Sequence, residues 1–328
     1  MRGAMRQAGV RVLIECRQPS VSRILQEASG TALQPAAEDD PDVHIVVTDE
    51  TAPFATVGWD PLTRGAYQQD GNVVLTNACG SGFDLRVSVA PYLAHAKIVV
   101  EARYRPPARD RMAALALRSR FHLLARAVLL QYPALWVAGT CGRAPLHAAA
   151  VATGESVLML AGPGGVGRST LLLQALASGA QACSDNLCVS DGHVVHGLVE
   201  PVRVEGVGGR RMPHGRGECE LPGRVESLRP DRLVVLRRAS GGKARVRALA
   251  PERAAQVLAA GTYMAGELRR YWAFAATLAL GTGRGPVHPG IGDVAHTLAR
   301  LPAAEITLGD RPSPSLVELL GDLTELRS

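Results

Sequence analysis

Apolar runs bounded by Gly, Pro, Asn and Asp divide this chain into short elements. In the first hundred residues, segments 10–14, 43–47, 72–75, 83–89 and 97–102 read as strands, with a short helix over 21–29 between the first two. Pro106-Pro107 then punctuates the chain, and residues 110–130 place Ala and Leu at helical spacing among arginines. This pattern predicts a small N-terminal α/β domain over 1–105 and a helical connection over 106–145. From Leu146 the rhythm changes: a strand over 146–152, a turn at Thr153-Gly154, a strand over 156–161, a glycine-rich turn, and a helix ending at Gly179. Two apolar runs around Asp191-Gly192, between Leu187 and His196, predict a β-hairpin. A strand over 233–236, helices over 251–260 and 267–280, and an amphipathic tail from Ser313 complete a second domain, 146–328. No internal repeat is evident.

With 328 residues and 47% apolar side chains, two packed cores are within reach. The net charge of +6 is modest, and arginines are scattered in short pairs rather than in a stripe interleaved with aromatics, which argues against a nucleic-acid partner. The six cysteines form no Cys-x-x-Cys pair and no zinc spacing with histidine, as expected of reduced thiols in a cytoplasmic protein. Cys183 and Cys188 sit in apolar runs and read as small buried hydrophobes. Residues 1–6 lack an apolar signal core, and no stretch is expected to span a bilayer, so neither export nor a membrane partner is predicted.

The candidate chemistry lies between Ser156 and Thr170. Apolar residues 156–161 lead into Gly162-Pro163-Gly164-Gly165-Val166-Gly167-Arg168-Ser169-Thr170 and then a run of leucines: a strand, a glycine turn and a helix start. Such a turn directs backbone N–H groups at a helix N-terminus, where unpaired donors and the macrodipole favour a phosphate. The spacing is that of a P-loop, with Arg168 where lysine is usual. Lys97 and Lys243 are the chain's two lysines, so a drift toward arginine explains part of the exchange. A planar guanidinium is still wider than an ammonium, and binding should survive the change better than turnover.

Two other readings stay open at this stage. Gly162, Gly164 and Gly167 also fit Gly-x-Gly-x-x-Gly, with Asp185 near the place of a ribose-binding acid in an NAD-binding Rossmann oxidoreductase. The hairpin after Asp185 and the Ser169-Thr170 pair favour the P-loop instead. A glycine-rich turn with no ligand is the third reading.

Three segments in order, 146–151 with His147, the loop 162–170, and 179–186 with Asp185-Asn186, resemble the core of the HPr serine kinase/phosphorylase family. Relatives of that family in peptide natural-product clusters, the lasso-peptide-tailoring kinases, are similar in the layout of the N-terminal domain. The resemblance covers residues 146–240 best and implies a phosphoenolpyruvate-carboxykinase-like P-loop kinase core. It implies ATP and Mg²⁺ as cofactors and a Ser/Thr hydroxyl of a peptide or small protein as acceptor. On that match Asp185 is the general base, His147 lies beside it, and Gly162, Gly164, Gly165, Val166, Gly167, Arg168, Ser169 and Thr170 hold the phosphates. Ser169 and Asn186 would meet the metal, Arg168 would act in catalysis, and Glu200 or Glu205 would be a later acidic ligand. Asn186 replaces a second aspartate, which lowers the expected metal affinity. Arg168 and Asn186 together also fit a degenerate nucleotide-binding partner without turnover. A kinase of a free small molecule and a homo-oligomer remain open. Arg210, Arg211 and Arg216, in a glycine-rich stretch read as a mobile loop, are candidates to close over the γ-phosphate or an acidic substrate.

Overall fold

The computed structural model describes residues 1–36, 40–90, 96–108, 111, 118–154, 156–205, 210–212, 216–285, 290–309 and 314–319. The chain folds into two compact units, Met1–Arg143 with Arg269–Pro289, and Ala144–Leu268 with Gly290–Ser328. This division differs from the expected one. The helical connection belongs to the first unit, and the second is interrupted by a helix that returns to the first.

The first unit is built on an eight-stranded sheet. Its strands are β1 (Arg2–Gln7), β2 (Val10–Cys16), β3 (Val43–Thr48), β4 (Asp60–Thr63), β5 (Ala66–Gln69), β6 (Asn72–Leu75), β7 (Phe83–Val89) and β8 (Ile98–Tyr104). They lie in the order β1-β2-β3-β8-β7-β6-β5-β4, with β2–β3 and β3–β8 parallel. Strand β3 shows the pleat plainly, since Val43, Ile45 and Val47 are buried while the residues between them are half-buried. Helix α1 (Pro19–Ser29) follows β2. Helix α2 (Arg118–Arg126) passes through a π turn, Ala127–Gln131, into α3 (Tyr132–Thr140). The expected end near residue 130 is thus overrun. The wider π turn immediately before Pro133 absorbs the missing N–H and the ring of that proline.

This helix also corrects the bilayer expectation, because Ser119–Thr140 is long and apolar enough to cross one by length and composition. Its most apolar window is 72% buried inside the protein, with Leu129, Leu130, Leu135 and Trp136 in the core. The later helix Arg269–Thr282 packs on β4, β5 and β6 and buries Tyr271, Phe274 and Leu278.

In the second unit, β9 (Ala144–Thr153), β10 (Ser156–Ala161), β12 (Leu187–Ser190), β13 (Val195–Gly197), β17 (Ser227–Leu228), β18 (Arg232–Arg238), β19 (Arg245–Ala248) and β20 (Ala303–Leu308) form one sheet. Its order is β17-β13-β12-β9-β10-β18-β20-β19, and β11 (Gln181–Ser184) also pairs with β9. Strands β10, β18 and β20 are parallel, whereas β9 runs antiparallel to β10. The alanine-rich β9 is buried along nearly its whole length, as a central strand covered on both faces must be. Helix α4 (Arg168–Ala177) buries Leu171, Leu172 and Ala175 against Leu158, Leu160, Val234 and Leu236. Helix α5 (Pro251–Met264) packs on β9, β10, β18 and β20. Strands β14 (Val202–Glu205), β15 (Arg210–Arg211) and β16 (Arg216–Cys219) form a separate three-stranded sheet. The stretch expected to be a mobile loop therefore carries strand at 210–211 and 216–219. The predicted hairpin forms as β12 and β13, with Asp191 Oδ1 accepting from the amides of His193 and Val194 to close the turn. Of the amphipathic tail, residues 314–319 are described; Ser315 and Glu318 cap each other there, and the rest lies outside the described residues.

Candidate functional site

Strand β10 ends at Ala161 and the chain turns sharply. A Cβ on Gly162 would stand 2.8 Å from the Leu236 carbonyl oxygen, so β18 lies too close for any other residue. Gly167, at φ +108°, caps α4 in a backbone conformation that L side chains rarely adopt. Between them Gly164 and Gly165 face open space. The loop and the first turn of α4 thus form a cradle with N–H groups directed outward.

This cradle opens on a cleft of about 840 Å³. Of the expected residues, His147, Gly164, Gly165, Gly167, Arg168, Ser169, Thr170, Asp185, Asn186, Glu200, Glu205 and Arg216 line it. Val166 does not: its side chain is in the core beneath α4, and its amide donates to the Pro163 carbonyl. Gly162 lies at the base, its carbonyl accepting from Arg168. Arg210 is paired in register with Glu218, and the side chain of Arg211 lies outside the described residues.

Asp185 and Asn186 form the bend between β11 and β12. Glu200 Oε1 fixes that bend by accepting from the amides of Asn186, at 3.2 Å, and Leu187, at 2.6 Å. Asp185 is 3% exposed, and its Oδ2 accepts from the Ser169 hydroxyl at 2.9 Å, while Oδ1 is buried with no hydrogen-bond partner. Burial raises its pKa, against the pull of Arg168 and the Ser169 bond. A carboxyl so placed holds a proton more readily than an exposed one.

Arg168 is the unexpected feature. Its side chain turns into the protein, 7% exposed, rather than out along the cradle. Nε donates to the Asp185 carbonyl at 3.0 Å, Nη1 to the Gly162 carbonyl at 3.4 Å, and Nη2 to Asn186 Oδ1 at 2.9 Å. Nη2 also lies 2.9 Å from His147 Nε2. The same His147 nitrogen lies 2.8 Å from Asn186 Oδ1, so it sits between a guanidinium donor and an amide oxygen acceptor. Burial, reinforced by Arg168, lowers the His147 pKa to about 4, which keeps the ring neutral near pH 7. The oxygen of Asn186, expected at a metal, lies within hydrogen-bond distance of Arg168 Nη2 and of His147 Nε2.

Three lining residues carried no sequence signal. Glu267, just after α5, accepts from Arg203 Nη1 at 3.3 Å. Burial opposes its charge, but its own backbone amide, Arg203 and a hydrogen bond from the Asn186 side chain outweigh burial and hold its pKa low. Arg238 ends β18, and Arg253 lies in the first turn of α5. All three come from segments far from the loop in sequence, without a motif. Among the described residues no three His, Cys, Asp or Glu side chains are grouped to hold a metal ion by themselves. Cys183 and Cys188 are buried as expected, with burial pushing the Cys183 thiol up to about 12.

The Rossmann reading fails on topology. There the strand after the glycine helix would pair with the loop strand. Here β9 separates β10 from β11, and Asp185 is turned onto Ser169.

No family model matches the sequence, and no curated protein matches it. Among solved structures, the Hpr(Ser) kinase/phosphatase from Coxiella burnetii aligns at 11% identity over 56% of this chain and 89% of its own, with a TM-score of 0.28.

Proposed function

We propose that the second unit is a magnesium- and ATP-dependent phosphotransferase acting on a hydroxyl group, with a Ser/Thr hydroxyl of a peptide or small protein as acceptor. The observation that carries this reading is Asp185: a buried carboxylate with one unpartnered oxygen, bonded through the other to the first-turn Ser169 of a glycine-loop helix. Phosphoryl transfer asks a protein for backbone donors, a carboxylate near the attacking oxygen, and positioning. Magnesium is compatible with this site, because the Ser169 hydroxyl in the first turn of the loop helix is a hard oxygen donor. When bound, Mg·ATP supplies the γ-phosphoryl group and neutralises charge on its oxygens.

The chain's own residues have separate tasks in this reading. The amides of Gly164, Gly165 and Gly167 grip phosphate oxygens. Asp185 takes the proton of the acceptor hydroxyl as its oxygen bonds to phosphorus and the bond to the leaving diphosphate breaks. The products are a phosphate ester, ADP and a proton. Glu200 holds Asp185 in register through the bend, and Arg168 ties the loop helix to it.

Arg168 also favours a second reading, a nucleotide-binding partner without turnover, because its charge is committed inside the protein. Calorimetric titration with Mg·ATP and with NAD, together with transfer assays on Asp185→Asn, separates the two. The kinase reading expects Mg·ATP binding, and transfer reduced at least about a hundredfold in the variant, as for loss of a general base. Binding without turnover on peptide, protein and small-molecule acceptors would leave the non-catalytic nucleotide-binding partner. Binding of NAD alone would exclude both.

A further inference from the structure

The cradle lacks a cation where a P-loop usually supplies one, since four contacts turn the Arg168 guanidinium inward. The sheet order shows where replacements stand. His147, Asp185 and Asn186 lie on the β9 and β12 side of the glycine loop. Arg238 ends β18, which flanks β10 on the opposite side and runs parallel to it, so it reaches the same edge of the sheet as the loop. Helix α5 starts just after β19, at the far end of the sheet, and crosses toward β9, where Thr262 Oγ1 accepts from the His147 amide. Its first turn therefore brings Arg253 to the side away from Asp185. Both arginines line the cleft and are exposed. Neither has an ion-pair partner among the described residues, and Arg253 makes a single 3.4 Å contact with Gln256. By contrast, Arg203, on the Asp185 side, is held by Glu218 and Glu267.

We propose that Arg238 and Arg253 are the phosphate-binding cations of this cleft, taking the leaving diphosphate of a nucleoside triphosphate. The inference rests on the phosphotransferase reading. In-line transfer puts the attacking and leaving oxygens on opposite sides of phosphorus. With the proton acceptor Asp185 on one side of the loop, the diphosphate leaves on the other, where two uncommitted guanidiniums wait. Their planar forks suit paired phosphate oxygens.

The test is calorimetric titration of the full chain with Mg·ADP and with adenosine, for the wild type, Arg238→Ala, Arg253→Ala and the corresponding lysine variants. Arg245→Ala, an exposed arginine on β19 outside the cleft, is the control. Circular dichroism checks that each exposed-site variant is folded. The expected result is a loss of about tenfold or more in Mg·ADP affinity for each alanine variant. Lysine should recover part of it, with adenosine binding and the control unchanged. Loss below threefold in both alanine variants, or equal loss for adenosine, would overturn the assignment while leaving the phosphotransferase reading standing. A wild type that binds neither Mg·ADP nor Mg·ATP would overturn that reading and this one together.

Discussion

Arg168 stands at the lysine position of a P-loop, yet its partners are a histidine, an asparagine and two carbonyls of its own chain. A lysine ammonium cannot span that set, because its three donors radiate from one point. Arg168→Lys, the change that restores the usual motif, should therefore destabilise the protein by about 2 kcal/mol, the scale of a lost charge-assisted hydrogen bond. Urea denaturation measures it; unchanged stability with tighter ATP binding would mean that position 168 faces phosphate after all. His147 makes the same network sensitive to pH. Its folded pKa of about 4 lies below its ordinary 6.5, so the unfolded chain takes up a proton first as pH falls. The stability it contributes is complete above pH 6.5 and is lost as pH falls toward 4, by up to about 3 kcal/mol. Asp185, with a raised pKa, acts in the opposite sense and offsets part of the loss. His147→Gln should flatten the decline across this window in pH-dependent urea melts, and an undiminished decline would assign it elsewhere. The glycine loop, Asp185 and His147 were legible in the sequence because a P-loop is a local pattern. The inward turn of Arg168 was not, since its partners lie on three different elements.

At the level of elements, sequence patterns succeeded where a short apolar run is bounded by turn residues. Strands β6 and β7 match the expected segments 72–75 and 83–89 to the residue, and the loop strand β10 matches 156–161. The missed strands have weak patterns for physical reasons. Strand β4 carries Pro61 and closes an edge of its sheet, where a missing N–H is tolerated. Strand β1 mixes Gly3 and two arginines into the other edge. One constraint was invisible in any local pattern. Gly197, on β13, lies so close to β11 that a Cβ would stand 1.5 Å from the Cys183 carbonyl oxygen. Both backbones would have to part, and with them the bend that holds Asp185. Gly197→Ala should cost at least about 3 kcal/mol, at the severe end for point substitutions. A variant as stable as wild type in urea would show that the two backbones have room to separate.

On the scale of the molecule, the chain passes between its two units three times, after Arg143, after Leu268 and after Pro289. A sequence pattern reads along the chain and so assigned 106–145 and 146–328 as contiguous blocks. The helix Arg269–Thr282, though correctly expected as a helix, completes the first unit, where Gly281 leaves room for Val73 and Leu62. A fragment 1–143 should therefore aggregate or remain loosely packed, and addition of a 269–289 peptide in trans should rescue it. Size-exclusion chromatography and near-ultraviolet circular dichroism would show this; a well-packed monomeric fragment on its own would refute it.

The same threading sets a schedule during synthesis. Once Arg143 has been made, residues 144–268 must follow before the covering helix exists, a delay of roughly 6–25 s at about 5–20 residues per second. For that interval the sheet face beneath Tyr271, Phe274 and Leu278 is bare on the ribosome. Slower translation or depletion of chaperones should then lower the yield of folded protein.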